Sequence, residues 1–350
     1  MSEWLADYGL FLAKTATWVV ALGIVLALVA RGRRNGETGS GATLEISELD
    51  ERFAKRRRQL RLAAEPRHRR RAVAKSMRRV VKAERKAPSD GDSASVTPRV
   101  WVLDFDGDLK ATGTSTLAEL VTLLIGEARE GDEVVLRLQS GGGLVHSYGL
   151  AAAQLDRLRE AGLTLTVCVD KVAASGGYMM ACCANRIIAA PFAVIGSIGV
   201  VAQIPNIHRL LKKNDVDVEL LTAGRYKRTL TVLGENSEEG REKFREDLES
   251  THTLFKHYVQ TRRPMLDIEQ VATGEIWYGS EAVSAGLVDA VGTSDAYLAD
   301  RLNARSRVLK VSLKTRHGLF GRLARGAEGS IERSLDRAIE RVDDLRWQRR

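Results

Sequence analysis

From residue 100 onward, short apolar segments of strand length alternate with longer segments of helix length. Strands are predicted at 100–105, 133–138 and 164–169, with helices at 115–128 and 147–160 between them. Strands that alternate with helices in this way form βα units around a mainly parallel sheet. Catalytic and binding groups in such sheets collect at the carboxyl ends of the strands. The region is therefore expected to be an α/β domain with its functional residues just after the strands.

Two glycine-rich stretches come directly after predicted strands. Residues 140–143 read Ser-Gly-Gly-Gly, and residues 173–178 read Ala-Ala-Ser-Gly-Gly-Tyr. Small residues on both sides of Ser175 leave its hydroxyl open to a substrate, and the glycines after it can present free backbone N–H groups at close range. Since a buried structural serine would not need such surroundings, Ser175 is the candidate nucleophile.

A serine hydroxyl is a poor nucleophile and needs a base within hydrogen-bond reach. The Gly-x-Ser-x-Gly elbow of the α/β-hydrolases is not present around Ser175. Two candidate bases stand out: His146, which follows the triple glycine, and Lys227, in a Gly-Arg-Tyr-Lys segment. A lysine can serve only if burial and neighbours lower its pKa enough to leave it neutral. Spacing does not choose between the two, because composition alone makes one a helix-start histidine and the other a surface lysine.

Residues 187–204 contain no charged side chain, and their 18 residues are as long as a short membrane helix. Pro191, Gly196 and Gly199 interrupt this run, and the flanking segments keep the α/β alternation. A buried strand-loop-strand in the core is therefore predicted instead of a membrane span.

Further elements are predicted after this run. A strand is expected at 216–221, and a long helix is expected to begin at Asn236, with Glu239 completing a capping box. One face of that helix carries apolar and aromatic residues at 3–4 spacing, which predicts packing on that face. Residues 273–288 are expected to form a closing helix-and-strand unit.

Near the N-terminus, residues 10–30 are apolar except for Lys14. At ~1.5 Å per residue this segment would cross a ~30 Å hydrocarbon core, and Lys14 can extend to the interface. Glu3 and Asp7 stand where a signal peptide would have basic residues, so an uncleaved anchor is predicted. The arginines that follow at once, beginning with Arg31, favour a cytoplasmic position for the next segment.

Much of the net charge of +9 comes from residues 51–86, a block of helical composition. Polar linkers are expected on both sides of it, at 36–41 and 89–98, so that residues 35–98 form a stalk. The block follows a membrane anchor and has no interleaved aromatic residues. A solvated helix near anionic lipid headgroups therefore fits better than nucleic-acid binding. The tail at 306–350 is expected to contain a charged amphipathic helix.

The three cysteines, Cys168, Cys182 and Cys183, lie in apolar contexts and show neither a disulfide framework nor a zinc spacing. They are predicted to be small buried hydrophobic residues. The six histidines are scattered along the chain, and neither a metal nor another cofactor is expected.

Residues 101–289 resemble the signal peptide peptidase A family of membrane-bound serine proteases, most closely its SohB-type branch. The motifs that carry the resemblance occur in the same order, at 140–143, 170–178, 196–200 and 224–228, and the anchor matches at 8–14. The resemblance implies a crotonase-like (ClpP-like) α/β fold of repeated ββα units. The resemblance is weak in the stalk and after about residue 308. Together with the composition of the flanking segments, it predicts an anchor (1–34), a basic stalk (35–98), a peptidase domain (99–305) and a charged tail (306–350).

The resemblance also implies a Ser–Lys dyad. It makes Ser175 the nucleophile and Lys227 the general base, with 52 positions between them as in the family, and Ser197 the residue that holds the lysine in place. The same resemblance implies rings or domes whose subunits share the active-site groove, so a homo-oligomer is expected.

The implied oxyanion hole consists of one backbone N–H from the glycine loop, that of Gly142 or Gly143, and the N–H of Gly176. The family usually has Ser-Pro-Gly-Gly in this loop, and this chain has Gly141 where the proline is expected. Because proline restricts φ, its loss predicts a less rigid hole.

The expected function is that of a serine endopeptidase in the bacterial inner membrane, which cleaves signal peptides or membrane-protein fragments through an acyl-enzyme. The family resemblance suggests that the catalytic domain is periplasmic, whereas the charges after the anchor suggest the cytoplasm. Two alternatives remain: a non-enzymatic membrane scaffold, and an acyl-CoA enzyme of the crotonase type. The latter would need carboxylates near the acyl group, and none adjoins Ser175 or Gly143 in the sequence.

Overall fold

A computed structural model describes residues 42–86, 98–304 and 306–315 of the 350-residue chain, without the side chains of 80–86 and 315. The anchor predicted at 10–30 and the helix predicted in the tail lie outside these ranges. Within them, no helix is both long enough and apolar enough to span a bilayer. The described residues between 46 and 312 belong to one compact unit, and 42–45 with 313–315 are the described part of a second.

The strands of the described residues are β1 (Ala42–Glu48), β2 (Arg99–Gly107), β3 (Glu133–Ser140), β4 (Thr164–Val169), β5 (Val172–Ala174), β6 (Arg186–Ala189), β7 (Val194–Gly196), β8 (Ile276–Tyr278), β9 (Ala290–Val291) and β10 (Arg307–Thr315). The helices are α1 (Leu49–Ala64), α2 (Arg67–Lys86), α3 (Thr114–Glu127), α4 (Val145–Glu160), α5 (Gly176–Ala181), α6 (His208–Lys213), α7 (Glu238–Arg262), α8 (Ile268–Val271), α9 (Gly279–Ser284) and α10 (Ser294–Asn303).

The strands form one sheet in the order β1-β10-β2-β3-β4-β6-β9. From β10 to β9 the neighbouring strands are parallel, as the alternation of strands and helices predicted. Three short strands branch from this path: β5 pairs with the end of β3 and with β7, and β7 pairs with β8 in the antiparallel direction. The branch begins at the carboxyl end of β3, where the two glycine-rich stretches meet.

The central strands are buried on both faces, which explains their nearly continuous apolar sequences. On one face, Tyr297 and Leu298 of α10 pack against Val102, Val135 and Cys168. On the other, α4 and α5 pack against each other and against β3 and β4. All three cysteines are buried, as predicted.

The predictions for the strands and helices from β2 to α4 are confirmed to within two residues. Residues 187–204 contain β6, β7 and an irregular segment, which confirms the strand-loop-strand prediction. The basic block is helical, as predicted, and Pro66 separates α1 from α2. Two strands were not predicted: β1 falls in the range assigned to the stalk, and β10 falls in the range assigned to the tail.

The strand predicted at 216–221 is wrong. This segment is irregular and exposed, and Leu221 is 89% exposed. A strand needs a partner for its backbone groups, and no described strand lies beside these residues. The predicted helix cap is also wrong by one residue. Ser237 caps α7 by accepting from the Gly240 N–H at 3.1 Å, while Asn236 bonds to Thr231.

Candidate active site

Ser175 lies at the sharp turn between β5 and α5. Its backbone has a φ of 52°, a left-handed conformation that costs a non-glycine residue energy and that often marks functional sites. Ser175 occupies the N-cap position of α5, yet its side chain makes no capping hydrogen bond. The residue is partly exposed, while the residues before and after it are buried. The hydroxyl is therefore presented at the surface of a rigid turn.

The Ser-Gly-Gly-Gly segment at 140–143, the glycine loop, lies directly against this turn. Gly142 has a φ of +89°, and a Cβ added to it would lie 2.8 Å from the Ser175 Cβ and 2.7 Å from the Gly176 nitrogen. Only a residue without a side chain allows the loop to approach so closely. The two glycine-rich stretches singled out in the sequence thus form one site at the carboxyl ends of β3 and β5.

The amides of the two candidate loop glycines differ in their surroundings. The Gly142 N–H donates to the Ser140 Oγ at 3.1 Å, so it is already engaged inside the protein. Gly143 packs closely against Leu109 on the other side of the loop. A Cβ added to Gly143 would lie 2.1 Å from the Leu109 carbonyl oxygen. That same oxygen accepts from the Leu144 N–H at 2.9 Å. The loop is therefore anchored on both sides of Gly143.

A third segment joins the site through the nucleophile's own backbone. The Ser175 N–H donates to the Gly196 carbonyl oxygen at 2.8 Å. Ser197, the next residue, has a φ of 49° and donates its N–H to the Glu275 carbonyl oxygen at 2.7 Å. Ser197 is partly exposed. The structure thus brings Ser175 and the segment that carries Ser197 together.

Among the described residues, Lys227 forms no hydrogen bond with Ser175. Lys227 is exposed in an irregular segment, and its backbone N–H donates to the Gly224 carbonyl oxygen at 3.2 Å. Its side chain is not hydrogen-bonded to Ser197 in the described part of the chain either. His146, the other candidate base, is exposed near the start of α4. The candidate nucleophile thus lies beside backbone amides, and both candidate bases are exposed to solvent.

Ser140 and Tyr148, which have no predicted role, support the glycine loop from the inside of the protein. The Tyr148 hydroxyl donates to the Asp108 carbonyl oxygen at 2.7 Å and lies 2.5 Å from the Ser140 Oγ. Ser140 and Tyr148 are both buried. Ser140 was visible as the first residue of the Ser-Gly-Gly-Gly motif, whereas Tyr148 resembled any other apolar-face residue of a predicted helix.

Burial makes Cys168 and Cys182 poor nucleophiles. Burial, together with the nearby Asp170 and Glu133, raises the pKa of the Cys168 thiol to about 12. Burial, and contact with the Cys183 thiol, also raise the pKa of Cys182. Since the thiolate is the reactive form of cysteine, these residues remain thiols at neutral pH.

Both halves of the chain match models of one protein family. Residues 3–155 match the model described as the N-terminal part of peptidase family S49, and residues 157–308 match peptidase family S49 itself. The chain is 45% identical over 336 residues to a probable protease SohB of Haemophilus influenzae, an alignment that covers 94% of this chain and 95% of that protein. It is 59% identical over 204 residues to a probable protease SohB of Buchnera aphidicola subsp. Schlechtendalia chinensis, covering 58% of this chain and 67% of that one.

A solved structure of a mutant of the 1510-N membrane-bound stomatin-specific protease, in complex with a substrate peptide, has 13% identity and a TM-score of 0.38. The alignment with that structure covers 59% of this chain and 80% of the other protein's chain. The SohB relative aligns along almost the whole chain, and both family models match. The chain therefore belongs to peptidase family S49, as a protease of the SohB type.

Proposed function

We propose that the protein is a membrane-anchored serine endopeptidase that cleaves peptide bonds through an acyl-enzyme on Ser175, with Lys227 as the general base. One observation carries the proposal: Ser175 lies on a strained turn, its hydroxyl does not cap α5, and the glycine loop approaches it closely enough to exclude any side chain at Gly142. Membership of a peptidase family supports this reading of the geometry.

The two amides of the oxyanion hole are assigned to Gly143 and Gly176. The Gly142 N–H is bonded to the Ser140 Oγ, which leaves Gly143 as the loop donor. Gly176 is the first residue of α5, a position whose N–H has no acceptor within the helix. Each such donor lowers the barrier of acyl transfer by about 3–4 kcal/mol in well-studied enzymes.

The proposed reaction is an acyl transfer that uses these groups. The neutral Lys227 amine takes the Ser175 hydroxyl proton as the oxygen attacks the carbonyl carbon of the scissile peptide bond. Negative charge develops on the carbonyl oxygen, where the Gly143 and Gly176 amides can stabilise it. When the tetrahedral intermediate collapses, the carbon–nitrogen bond breaks and Lys227 returns the proton to the leaving amine. A water molecule, deprotonated by the same lysine, then hydrolyses the ester.

Lys227 must approach Ser175 for this chemistry, and its segment has the features of one that orders on assembly. The irregular stretch between α6 and α7 exposes apolar side chains to solvent, among them Val216, Leu220 and Leu221. Such residues are commonly buried against another molecule. We propose that copies of the chain assemble through this stretch, and that assembly brings Lys227 to a Ser175 hydroxyl, with Ser197 holding the lysine.

The surroundings of the glycine loop favour apolar substrates. Leu109, Leu144 and Val145 lie at this loop and remain 40–66% exposed. An extended peptide with apolar side chains would cover them, so signal peptides and fragments of membrane proteins are the proposed substrates. We propose that residues 10–30 anchor the enzyme in the bacterial inner membrane, with the basic helices α1 and α2 near anionic headgroups.

The first test is active-site labelling with a fluorophosphonate, together with hydrolysis of casein and of a fluorogenic apolar peptide, by the detergent-solubilised full chain. Ser175→Ala and Lys227→Ala should abolish turnover, whereas His146→Ala should retain it. Lys213→Ala, at an exposed lysine of α6, is the matched control for Lys227. Loss of activity in His146→Ala with retention in Lys227→Ala would overturn the assignment of the base. Absence of labelling and hydrolysis in the wild type would favour a scaffold.

Mixing the two inactive variants tests the assembly. If Ser175 and Lys227 of different copies form one site, co-assembled Ser175→Ala and Lys227→Ala chains should regain part of the wild-type activity. If each copy supplies its own base, the mixture should stay inactive. Size-exclusion chromatography with light scattering should show an oligomer for the wild type, and an exclusively monomeric active enzyme would contradict the assembly.

A further inference from the structure

A series of hydrogen bonds runs from the glycine loop to the end of β2 through two buried side chains, Ser140 and Tyr148. Gly142 N–H donates to Ser140 Oγ at 3.1 Å, Ser140 Oγ lies 2.5 Å from Tyr148 Oη, and Tyr148 Oη donates to the Asp108 carbonyl oxygen at 2.7 Å. Exposure is 2% for Ser140 and 0% for Tyr148. The two hydroxyls at the centre of this series are therefore shielded from bulk water.

The direction of every proton in the chain follows from its two ends. The Asp108 carbonyl can only accept, so the single hydroxyl proton of Tyr148 points to it. The Ser140 proton then points to Tyr148 Oη, which leaves a Ser140 lone pair for the Gly142 N–H. The other acceptor near Ser140 Oγ is the Gly107 carbonyl oxygen, at 3.5 Å, a distance at which a hydrogen bond is weak. Each hydroxyl thus donates once and accepts once, in one direction.

The ring of Tyr148 touches the other side of the site. A Cβ added to Gly176 would lie 2.4 Å from the Cγ of Tyr148, so the ring lies against the backbone of the first residue of α5. A Cβ added to Gly107 would lie 2.5 Å from both the Tyr148 hydroxyl and the Ser140 Oγ. One side chain therefore contacts the glycine loop through its hydroxyl and the nucleophile helix through its ring.

We propose that Tyr148, acting through Ser140, is a positioning residue that sets the separation between the Gly143 and Gly176 amides. The proposal rests on the proposed function, because these amides matter only if they hold an oxyanion. Turning the Gly142 N–H inward toward Ser140 leaves the following amide, that of Gly143, for the substrate. The ring fixes where Gly176 stands relative to that loop. Neither residue touches the reacting atoms.

A positioning residue of this kind stabilises the transition state more than it stabilises the bound substrate. Preorganised amides stabilise the charge that develops during attack, so a displaced donor lowers kcat while KM changes little. Tyr148→Phe keeps the ring and removes the hydroxyl, which leaves Ser140 to turn toward the more distant Gly107 carbonyl. We expect kcat to fall about 10- to 100-fold with KM within about twofold, since a complete loss of one donor costs about 100- to 1000-fold.

The matched control is Tyr297→Phe. Tyr297 is also buried, but it lies on the opposite face of the sheet, and its hydroxyl donates to the Glu133 carboxylate. Both variants lose a buried tyrosine hydroxyl, so the melting temperature should fall in both. Tyr297→Phe should keep the wild-type kcat, which separates positioning from stability.

Ser140→Ala tests the other link of the chain. Removing Ser140 Oγ takes away the acceptor of the Gly142 N–H, so kcat should fall at least as far as in Tyr148→Phe. The double variant should be no worse than Ser140→Ala alone, because both changes break one chain. A peptide aldehyde, which forms a tetrahedral adduct with the serine, should lose affinity by the same factor as kcat, while the corresponding peptide alcohol should not.

The outcomes separate the two proposals. If the wild type neither hydrolyses peptides nor is labelled at Ser175, the proposed function fails and this inference fails with it. If the wild type is active but Tyr148→Phe and Ser140→Ala match Tyr297→Phe in kcat and aldehyde affinity, the inference alone is overturned. Circular dichroism checks that each variant is folded. If either Tyr148→Phe or Ser140→Ala fails to fold, the kinetics of the remaining variant decide the test.

Discussion

The Ser175 backbone N–H donates to the Gly196 carbonyl oxygen at 2.8 Å, across the junction of β5 and β7. This bond ties the strained turn of the candidate nucleophile to the segment that carries Ser197. Both serines have positive φ values, 52° and 49°, and each strained residue costs of order 1–3 kcal/mol. The pairing of β5 with β7 holds these conformations. Substitutions at the adjacent glycines, Gly142 and Gly196, should therefore reduce activity more than they weaken the sheet.

Gly142→Ala should nearly abolish turnover. Its φ of +89° disfavours alanine, and the added Cβ would meet the Ser175 Cβ at 2.8 Å and the Gly176 nitrogen at 2.7 Å. We expect a fall in kcat of at least about 100-fold, the size of a lost oxyanion donor. Gly141→Ala is the control, because a Cβ there has no atom within 4 Å. Equal activities of the two variants, measured by peptide hydrolysis, would contradict the close approach of the loop.

Gly196→Ala should lower activity through the turn that accepts from Ser175. The φ of Gly196 is +94°, and a Cβ would lie 2.7 Å from the ring of Trp277. Gly274→Ala separates the two effects, because Gly274 has a φ of +87° but nothing within 4 Å of the Cβ position. Thermal unfolding should show a loss for both variants, with the larger loss in Gly196→Ala. Only Gly196→Ala should reduce fluorophosphonate labelling, and the reverse order would argue against a role for this turn.

Gly141→Pro should restore the residue that the family usually has at this position without loss of activity. The φ of Gly141 lies outside the left-handed region, and Ser140 before it ends β3, an extended conformation that suits the residue before a proline. We expect the free energy of unfolding to rise by about 0.4–1 kcal/mol, because proline restricts the unfolded chain. Denaturant unfolding measures this change. A loss of both stability and kcat would show that the loop needs the freedom of glycine.

The ion pair that joins α4 to α7 should make stability depend on acid pH. Burial alone would raise the pKa of Asp156, but hydrogen bonds and charge from Arg262, with a 3.0 Å hydrogen bond from Tyr258, bring that pKa below its usual value. A lowered carboxyl pKa contributes stability that is fully present above the unfolded value, about 3.9, and is lost as pH falls through the folded value.

Asp156→Asn should therefore destabilise the protein at pH 7, by about 1–3 kcal/mol for a partly buried charged hydrogen bond, and flatten the dependence of stability on pH below about 4. Urea unfolding at several pH values provides the measurement. Asp217→Asn is the control, because its pair with Lys212 at 2.5 Å is exposed and should contribute nothing measurable. Equal effects of the two substitutions would contradict the coupling of α4 to α7.

The three cysteines should be unreactive in the native protein. Cys168, Cys182 and Cys183 are buried, and burial raises the pKa of Cys168 to about 12. Ellman's reagent at pH 8 should react with none of them until guanidinium unfolds the chain, when all three should react. Iodoacetamide should leave peptidase activity unchanged under native conditions. Rapid alkylation with loss of activity would place a thiol in the reaction and argue against a serine nucleophile.

The sequence was sufficient for the parts of the fold that depend on local pattern. Apolar strands alternating with amphipathic helices predicted β2, α3, β3, α4 and β4, because buried parallel strands need continuous apolar residues and crossovers need helices. Small residues around Ser175 also indicated an accessible hydroxyl, since few structural serines require such clearance.

The sequence misled where a segment's partner lies far along the chain. The segment at 216–221 has residues that suit a strand, but none of the described strands lies beside it, so it is irregular. Conversely, β10 forms because it lies parallel to β2 in the sheet, although about 200 residues separate them along the chain. Pairing between distant segments is decided by the whole sheet, and a local window does not contain it.

At the site, the sequence by itself determined which residues could act: a serine between small residues, glycines after two strands, and two candidate bases. Only the tertiary structure decided which of them meet. It brought Gly142 against Ser175, engaged the Gly142 amide with Ser140, and placed Tyr148 between the loop and α5. It also left Lys227 exposed. The physical reason is that hydrogen-bond direction and close approach depend on positions in space, which spacing along a chain does not specify.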